Sequence, residues 1–202
     1  MTINSNADQP DNYKDNNGQP VFLILGDSLS AGYGVAREKN WVSLLQQRFN
    51  SKKLNLRIVN ASISGDTTGN GLVRLTAALH EHQPAWLLIE LGANDGLRGL
   101  PLSLIRSNLK KLIQLGQQSQ AKVLLMAIRI PPNYGKKYTQ RFNALYTELA
   151  QETGVTLLPF MLNNIALHPE LMQADRLHPT EQAQEMIMEN VWEEIKDIMT
   201  AP

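Results

Sequence analysis

The chain has 202 residues, enough for one domain with a sizeable hydrophobic core. Nineteen Lys and Arg residues balance nineteen Asp and Glu residues, and no basic stripe appears, so nothing in the composition indicates a nucleic-acid partner. The absence of cysteine excludes disulfides, thiolate metal sites and a cysteine nucleophile.

The first 19 residues are polar and rich in Asn and Asp, and we interpret residues 1–19 as a flexible arm ahead of a single domain over residues 20–202. This start lacks the basic and apolar regions of a signal peptide, although an arm that replaced a removed export signal would look the same. No apolar run approaches the roughly 20 residues needed to span a bilayer, so we expect no stable membrane insertion.

Short apolar runs alternate with stretches of helical periodicity along the rest of the chain. In chain order the predicted elements are a strand at Val21–Leu25, a helix at Glu38–Phe49, a strand at 56–60, a helix at 69–81, a strand at 86–91, a helix around Ile105–Ile113, a strand at 122–128, a helix around Phe142–Leu149, a strand at 155–159 and a helix around Ile187–Ile198. This alternation predicts an α/β fold: a parallel sheet with helices on both faces, which is a three-layer α/β/α sandwich. The irregular stretch 160–177 is the longest loop, and loops of that length are often functional.

Polar residues follow the strand ends, where ligands bind in open α/β sheets. Ser28 follows the first strand, Gly65 the second and Asn94 the third. Asp175 and His178 come after the fifth strand, beyond the long loop. The predicted topology therefore gathers these distant residues on one edge of the sheet.

The chemistry that these residues could perform together is acyl transfer. The hydroxyl of Ser28 is a weak nucleophile, and His178 could take its proton while Asp175 fixes the imidazole tautomer. The backbone N–H groups of Ser28 and Gly65 and the side-chain amide of Asn94 could donate to the developing oxyanion. Such a mechanism uses no metal or cofactor.

Each residue taken alone also has a structural explanation, because Ser, Gly and Asn are common in turns and helix caps. Taken together, however, the residues at four strand ends are the types that one mechanism requires. This combination favours a catalytic role over a purely structural one. Two other motifs are rejected: His80 and His82 diverge on a helix, which argues against a metal site, and "GDTTGNG" lacks the Lys-Ser/Thr of a phosphate loop. Asp27, Asp66 and Asp95 are interpreted as groups that hold the loops.

The four blocks "GDSLS", "SISGDTTGNG", "GAND" and "DRLH" resemble the SGNH hydrolases, the GDSL esterase/lipase superfamily. Stretches such as "LGDSLSAGYG" and "LLMAIRIPPNYGKKY" are similar to its bacterial thioesterase, lysophospholipase and arylesterase members, and the similarity spans roughly residues 20–195. Ser30 stands where the α/β-hydrolase elbow G-x-S-x-G has glycine, which argues against that larger fold.

The resemblance implies a flavodoxin-like five-stranded sheet, with Ser28 as nucleophile, His178 as base, Asp175 as its partner, and Gly65 and Asn94 completing the oxyanion hole with the Ser28 amide. It implies hydrolysis of small-molecule acyl esters and thioesters through an acyl-enzyme. A short-chain or carbohydrate acetyl esterase is the alternative, and a non-catalytic flavodoxin-like binding module is a distant one. We expect a monomer, and a periplasmic location with a cytoplasmic one as the alternative.

The resemblance also implies that the loop from Gly96 to Pro101 moves when an acyl chain binds. Two glycines give this loop freedom, and two leucines could cover an apolar chain. Ala93 departs from the glycine that many relatives carry, which could trim the acyl pocket. The residues expected to contact substrate are Gly96, Leu97, Arg98, Leu100, Ile128 and Ile130.

Overall fold

The computed structural model describes residues 18–200. Its five strands are β1 (Val21–Gly26), β2 (Arg57–Asn60), β3 (Trp86–Glu90), β4 (Lys122–Met126) and β5 (Thr156–Leu158). They form one parallel sheet in the order β2-β1-β3-β4-β5, which confirms the predicted α/β class and parallel sheet. Residues 1–17 of the predicted N-terminal arm lie outside the described residues.

Seven α-helices connect and cover these strands. They are α1 (Ser28–Ala31), α2 (Trp41–Ser51), α3 (Thr68–His82), α4 (Ala93–Leu97), α5 (Leu102–Gln118), α6 (Lys136–Thr153) and α7 (Gln184–Thr200). Helix α2 packs against α7, whereas α5 packs between α3 and α6. After β2 the chain returns past β1 and adds the later strands on the other side of β1. Because each crossover is right-handed, crossovers in the two directions place these two groups of helices on opposite faces of the sheet.

The centre of the sheet is apolar because helices cover both of its faces. All six residues of β1 are buried, and Leu87, Leu88 and Ile89 of β3 are fully buried. A strand covered on both faces loses the alternation of polar and apolar residues, and "VFLIL" shows this pattern. The core therefore fixes β1 and β3 side by side, with their carboxyl ends at the same edge.

Several elements differ from the sequence prediction. Strand β4 ends at Met126, two residues early, because β5 ends at Leu158 and offers no pairing partner beyond the bond from Ala127 N to Leu158 O. Helix α2 begins at Trp41, because the Asn40 side chain caps it by accepting from the N–H of Ser43, and a short 3₁₀ turn precedes it. The short helices α1 and α4 were not predicted, and each begins just beyond the end of a strand.

Glu90, the last residue of β3, is fully buried beside Gly26. Its Oε2 atom accepts hydrogen bonds from Ser30 Oγ at 2.7 Å and from the Asp27 N–H at 3.3 Å, while within the described residues its Oε1 atom has no partner. A Cβ at position 26 would lie 2.7 Å from Oε2 of Glu90 and 2.8 Å from Ser62 Oγ, so only glycine leaves room here. Burial raises the pKa of Glu90 well above its ordinary value, and the nearby Asp27 carboxylate raises it further.

We expect Glu90→Gln to become more stable relative to the wild type as the pH rises above about 4.5. The unfolded chain ionises Glu90 near its ordinary pKa of 4.5, whereas the folded protein keeps it protonated, so the stability that Glu90 contributes is lost as the pH rises towards its folded pKa. Melting temperatures of both proteins between pH 4 and 9 measure the effect. Glu148→Gln, on the exposed side of α6, is the control. A difference between Glu90→Gln and wild type that does not change with pH contradicts a neutral Glu90.

Candidate active site

Ser28 lies at the edge of the sheet, where β1 ends and α1 begins. Asp27 caps this short helix, because its Oδ1 atom accepts a hydrogen bond from the N–H of Leu29 at 3.0 Å. Gly32 ends the helix in the left-handed conformation at φ 79°. The strand thus leads directly into a tight helical turn that leaves the Ser28 hydroxyl half-buried.

The structure brings Ser28, His178 and Asp175 together in one hydrogen-bonded chain. The Nε2 atom of His178 lies 2.8 Å from Ser28 Oγ, and its Nδ1 atom lies 2.7 Å from Asp175 Oδ2. Residues 28 and 178 are 150 positions apart in the sequence, so this contact depends on the whole sheet topology. An imidazole held between a hydroxyl and a carboxylate can accept the hydroxyl proton.

The backbone of the histidine loop fixes the carboxylate of Asp175. Its Oδ1 atom accepts from the N–H groups of Leu177 at 2.9 Å and of His178 at 3.0 Å. Burial acts to raise the pKa of Asp175, but the hydrogen bonds from the His178 ring and from these two backbone N–H groups outweigh it and lower the pKa to about 2. Asp175 is therefore ionised across the physiological range.

Gln173 fastens the histidine loop to the loop that follows Ser28. Its side-chain amide donates to the carbonyl of Tyr33 at 2.8 Å and to the carbonyl of Pro179 at 2.9 Å, and its backbone N–H donates to His178 O at 2.7 Å. A Cβ at Gly34 would lie 2.7 Å from the Gln173 amide, so this contact requires glycine at position 34. Sequence reasoning missed this residue, because its partner Tyr33 is 140 positions away.

Tyr33 is a second residue that the sequence analysis missed. Its ring lies against the His178 ring with the centroids 4.5 Å apart and the planes tilted by 38°. The ring remains 53% exposed, so it shields one side of the imidazole from solvent while its other face is open. The "GDSLSAGYG" motif contains Tyr33, but only the fold shows its contact with the histidine.

The side chain of Asn94 joins the ends of three strands. Its Nδ2 atom donates to the backbone carbonyl of Asp66 at 2.9 Å and to Asp27 Oδ2 at 3.2 Å. Gly65, next to Asp66, has φ 83°, a conformation that favours glycine, and a Cβ there would meet no atom within 4 Å. Glycine at this position is therefore needed for the backbone conformation and leaves its surroundings open to a ligand.

Three buried aspartates hold the loops of this edge together, as the sequence analysis expected. Asp27 binds the amide of Asn94, as described above. Asp66 pairs with Arg74, and Asp95 accepts from the N–H and the hydroxyl of Thr68 at 2.8 and 2.6 Å. Burial raises the pKa of Asp27 to about 6, against the opposing effect of its hydrogen bond from Leu29 and of the nearby His178.

A cleft of about 500 Å³ opens beside Ser28 and His178. Of the residues expected to contact substrate, Leu97, Ile128 and Ile130 line it. Much of the remaining wall comes from the irregular stretch 160–177, which the sequence analysis had singled out only by its length. The apolar side chains that this stretch contributes are Phe160, Leu162, Ala166, Leu167, Met172 and Leu177.

The other three expected contacts lie outside the cleft wall, and each has a structural contact of its own. A Cβ at Gly96 would lie 2.8 Å from the Phe142 ring, so this glycine allows close packing. Arg98 donates to Gly65 O at 3.2 Å, and Leu100 O accepts from the hydroxyl of Tyr138 at 2.8 Å. These contacts tie the predicted mobile loop to its neighbours.

Neither a membrane span nor a metal site is evident in the part of the chain that the structure describes. None of the helices within residues 18–200 combines the length and the apolarity of a bilayer span. Within the same residues, no three His, Asp or Glu side chains gather as ligands for a metal ion.

Comparison with known proteins identifies the family of this chain. The model of the GDSL-like Lipase/Acylhydrolase family matches residues 24–186. An arylesterase of Vibrio mimicus is 51% identical over 86% of this chain and 87% of its own length. The thioesterase 1/protease 1/lysophospholipase L1 of Escherichia coli is 47% identical over 83% of this chain and 79% of its own.

A solved structure agrees with these sequence matches. The psychrotrophic esterase EstA of a Pseudoalteromonas species, in a structure inhibited by monoethylphosphonate, superposes with a TM-score of 0.87 at 42% identity. The match covers 90% of this chain and 99% of that one. The chain therefore belongs to the GDSL-like lipase/acylhydrolase family.

Proposed function

We propose that this enzyme hydrolyses acyl esters and thioesters with Ser28 as nucleophile, His178 as general base and Asp175 as the carboxylate that orients the histidine. The observation that carries this assignment is the unbroken chain of hydrogen bonds from Asp175 Oδ2 through both nitrogens of His178 to Ser28 Oγ, with lengths of 2.7 and 2.8 Å. The names of the similar proteins, an arylesterase, an esterase and a thioesterase/lysophospholipase, support this class of substrate.

In the first half-reaction Ser28 Oγ attacks the acyl carbon, and its proton passes to Nε2 of His178. The imidazolium that forms is stabilised by the ionised Asp175, whose contact with Nδ1 also keeps the ring in the required tautomer. When the tetrahedral intermediate collapses, His178 returns the proton to the departing alkoxide or thiolate. The product of this half-reaction is an acyl ester on Ser28.

The negative charge of the tetrahedral oxygen is placed against the N–H groups of Ser28 and Gly65 and the amide of Asn94. In the free enzyme the longer of the two bonds from Asn94, 3.2 Å to Asp27 Oδ2, is the one that an oxyanion can replace. The shorter bond to the Asp66 carbonyl keeps the amide plane fixed while this exchange occurs. Donors that are positioned in advance need no reorganisation in the transition state.

In the second half-reaction a water molecule attacks the acyl ester, and His178 takes the proton of that water. The fatty acid leaves as Ser28 recovers its hydrogen. The same base and the same oxyanion donors serve both halves, so the route is ping-pong and needs no further catalytic group.

The cleft favours substrates with a medium or long acyl chain. Its volume of about 500 Å³ lies within the range of small-molecule sites, and most of its wall is leucine, isoleucine, proline, phenylalanine and methionine. Such a surface stabilises a bound alkyl chain by roughly 0.8 kcal/mol for each buried methylene. An acetyl group has too few carbons to use this surface.

We expect kcat/KM on p-nitrophenyl esters to rise from acetate towards medium and long chains, and palmitoyl-CoA to be hydrolysed as well. A chain-length series from two to sixteen carbons measures this preference. Ser28→Ala is the control and should abolish turnover at every length while leaving the melting temperature near that of wild type. Activity confined to acetate would favour the short-chain or carbohydrate acetyl esterase instead.

We expect kcat/KM to fall as the solution is acidified, because a protonated His178 cannot accept the proton of Ser28. Asp175, whose pKa is lowered to about 2, stays ionised in mildly acidic solution and does not contribute to this fall in kcat/KM. Asp27, whose pKa burial raises to about 6, also becomes protonated as the solution is acidified, so its effect on the rate must be separated from that of the histidine. The acid limb should therefore persist in Asp27→Asn, at a lower plateau. Its disappearance in that variant would assign the limb to Asp27 and not to the base.

We further propose that residues 20–202 form one catalytic domain that acts as a monomer in the periplasm. The family model spans most of this range, and one sheet runs through it. Light scattering of the purified protein should give a mass close to 22.6 kDa, and cell fractionation should recover the esterase activity with periplasmic markers. A dimer mass, or activity confined to the cytoplasm, contradicts the corresponding part of this proposal.

A further inference from the structure

Arg74 lies in the second turn of α3 and points its guanidinium under the loop that carries Gly65. Its side chain is 21% exposed, and that of its partner Asp66 is 8% exposed. Arg74 is not among the residues that line the cleft. A half-buried arginine whose direct partners are backbone carbonyls and one carboxylate can act on catalysis only through the groups that it holds.

The guanidinium binds three acceptors, one at the end of β1 and two in the loop after β2. Its Nε and Nη2 atoms lie 2.7 and 2.6 Å from Asp66 Oδ2, its Nη1 donates to the carbonyl of Ala61, and its Nη2 lies 3.3 Å from the carbonyl of Gly26. A planar guanidinium can bind several fixed acceptors at once, whereas an ammonium group lacks this fork. Within residues 18–200, the carboxylate of Asp66 has, apart from Arg74, only a long contact of 3.4 Å from Asn70.

These acceptors connect the segments that carry all three oxyanion donors. Gly26 is two residues before Ser28, and Ala61 and Asp66 flank the turn that contains Gly65. The backbone carbonyl of Asp66 also accepts the shorter hydrogen bond of Asn94, at 2.9 Å. One side chain thus fixes the end of β1, the loop after β2 and, through Asp66, the amide at the start of α4.

We propose that Arg74 is the positioning residue of the oxyanion hole and sets the N–H of Gly65 and the amide of Asn94 relative to Ser28. The inference rests on the proposed function, since it concerns how the same site stabilises its transition state. Without Arg74, the loop from Ala61 to Asp66 loses its anchor, and the Asp66 carbonyl no longer holds Asn94 in place. The change removes none of the hydrogen bonds that join Asp175, His178 and Ser28.

The test is a double-mutant cycle of Arg74→Met and Asn94→Ala, with kcat and KM measured on one p-nitrophenyl ester well below each melting temperature. Removing an oxyanion donor lowers kcat by roughly 10²–10³, and a displacement of such a donor costs about 10². We therefore expect Arg74→Met to lower kcat by about 10² with little change in KM. Because both changes disturb the Asn94 amide, the double variant should lose less than the product of the two single losses, which independent changes would give, and any loss beyond that of Asn94→Ala reports the N–H of Gly65.

Arg48 provides a matched control. Its side chain is 23% exposed and forms a two-pronged pair with Glu189 that joins α2 to α7, and neither residue lines the cleft. Arg48→Met removes a comparable ion pair and should lower the melting temperature without changing kcat. Arg74→Lys retains a charge beside Asp66 but not the fork, so it should show a smaller loss of kcat, and it serves as the test if Arg74→Met does not fold.

The proposal is overturned if folded Arg74→Met or Arg74→Lys keeps the wild-type kcat, if Arg48→Met lowers kcat to the same degree, or if the losses of Arg74→Met and Asn94→Ala multiply. A failure of the proposed function is seen separately, because Ser28→Ala would then retain activity whatever Arg74 does.

Discussion

The structure depends on one topological constraint: β2 and β3 lie on opposite sides of β1 in the sheet. The chain therefore changes the direction in which it adds strands to the sheet. The chain first crosses from β1 to β2 and then returns past β1 to form β3, so no helix covers the crevice between the carboxyl ends of β1 and β3. Ser28 starts the helix after β1, and Asn94 lies in the first turn after β3. Because the buried core keeps these two strands paired, Ser28 and Asn94, the proposed nucleophile and a proposed oxyanion donor, both line the cleft although they are distant in the sequence.

The acidic groups behind this edge differ in charge because their surroundings differ. Asp175 lies in an exposed loop with three hydrogen-bond donors and stays ionised, whereas burial between β1 and β3 raises the pKa of Glu90 well above its ordinary value. Asp27 lies between these extremes and binds the amide of Asn94. This arrangement keeps a full negative charge beside His178, where the proposed mechanism forms an imidazolium, and limits negative charge beneath Ser28, where the proposed mechanism forms an oxyanion.

The residues of the hydrogen-bonded chain could be predicted from sequence, because each follows a strand end and carries a residue type that acyl transfer requires. Leu97 could be expected in the cleft from the resemblance, and Ile128 and Ile130 from their place at the end of the fourth strand. Tyr33, Gln173 and Arg74 could not, because their importance comes from contacts with residues that are distant in the sequence, and a single tyrosine, glutamine or arginine carries no spacing signal. Loop positions are also weakly encoded: Arg98 and Leu100 were expected to contact substrate, but in the structure Arg98 binds the loop that carries Gly65 and Leu100 binds helix α6.

The central claim is that the topology presents Ser28 for attack through His178, and covalent labelling tests it most directly. A fluorophosphonate transfers its phosphonyl group to the hydroxyl oxygen of an activated serine, and the P–F bond breaks with loss of fluoride. Mass spectrometry of the digested protein then identifies the labelled residue. We expect one adduct, on Ser28, that still forms in Ser30→Ala and is lost in His178→Ala. Labelling of another serine, or undiminished labelling of Ser28 without His178, would contradict the assignment.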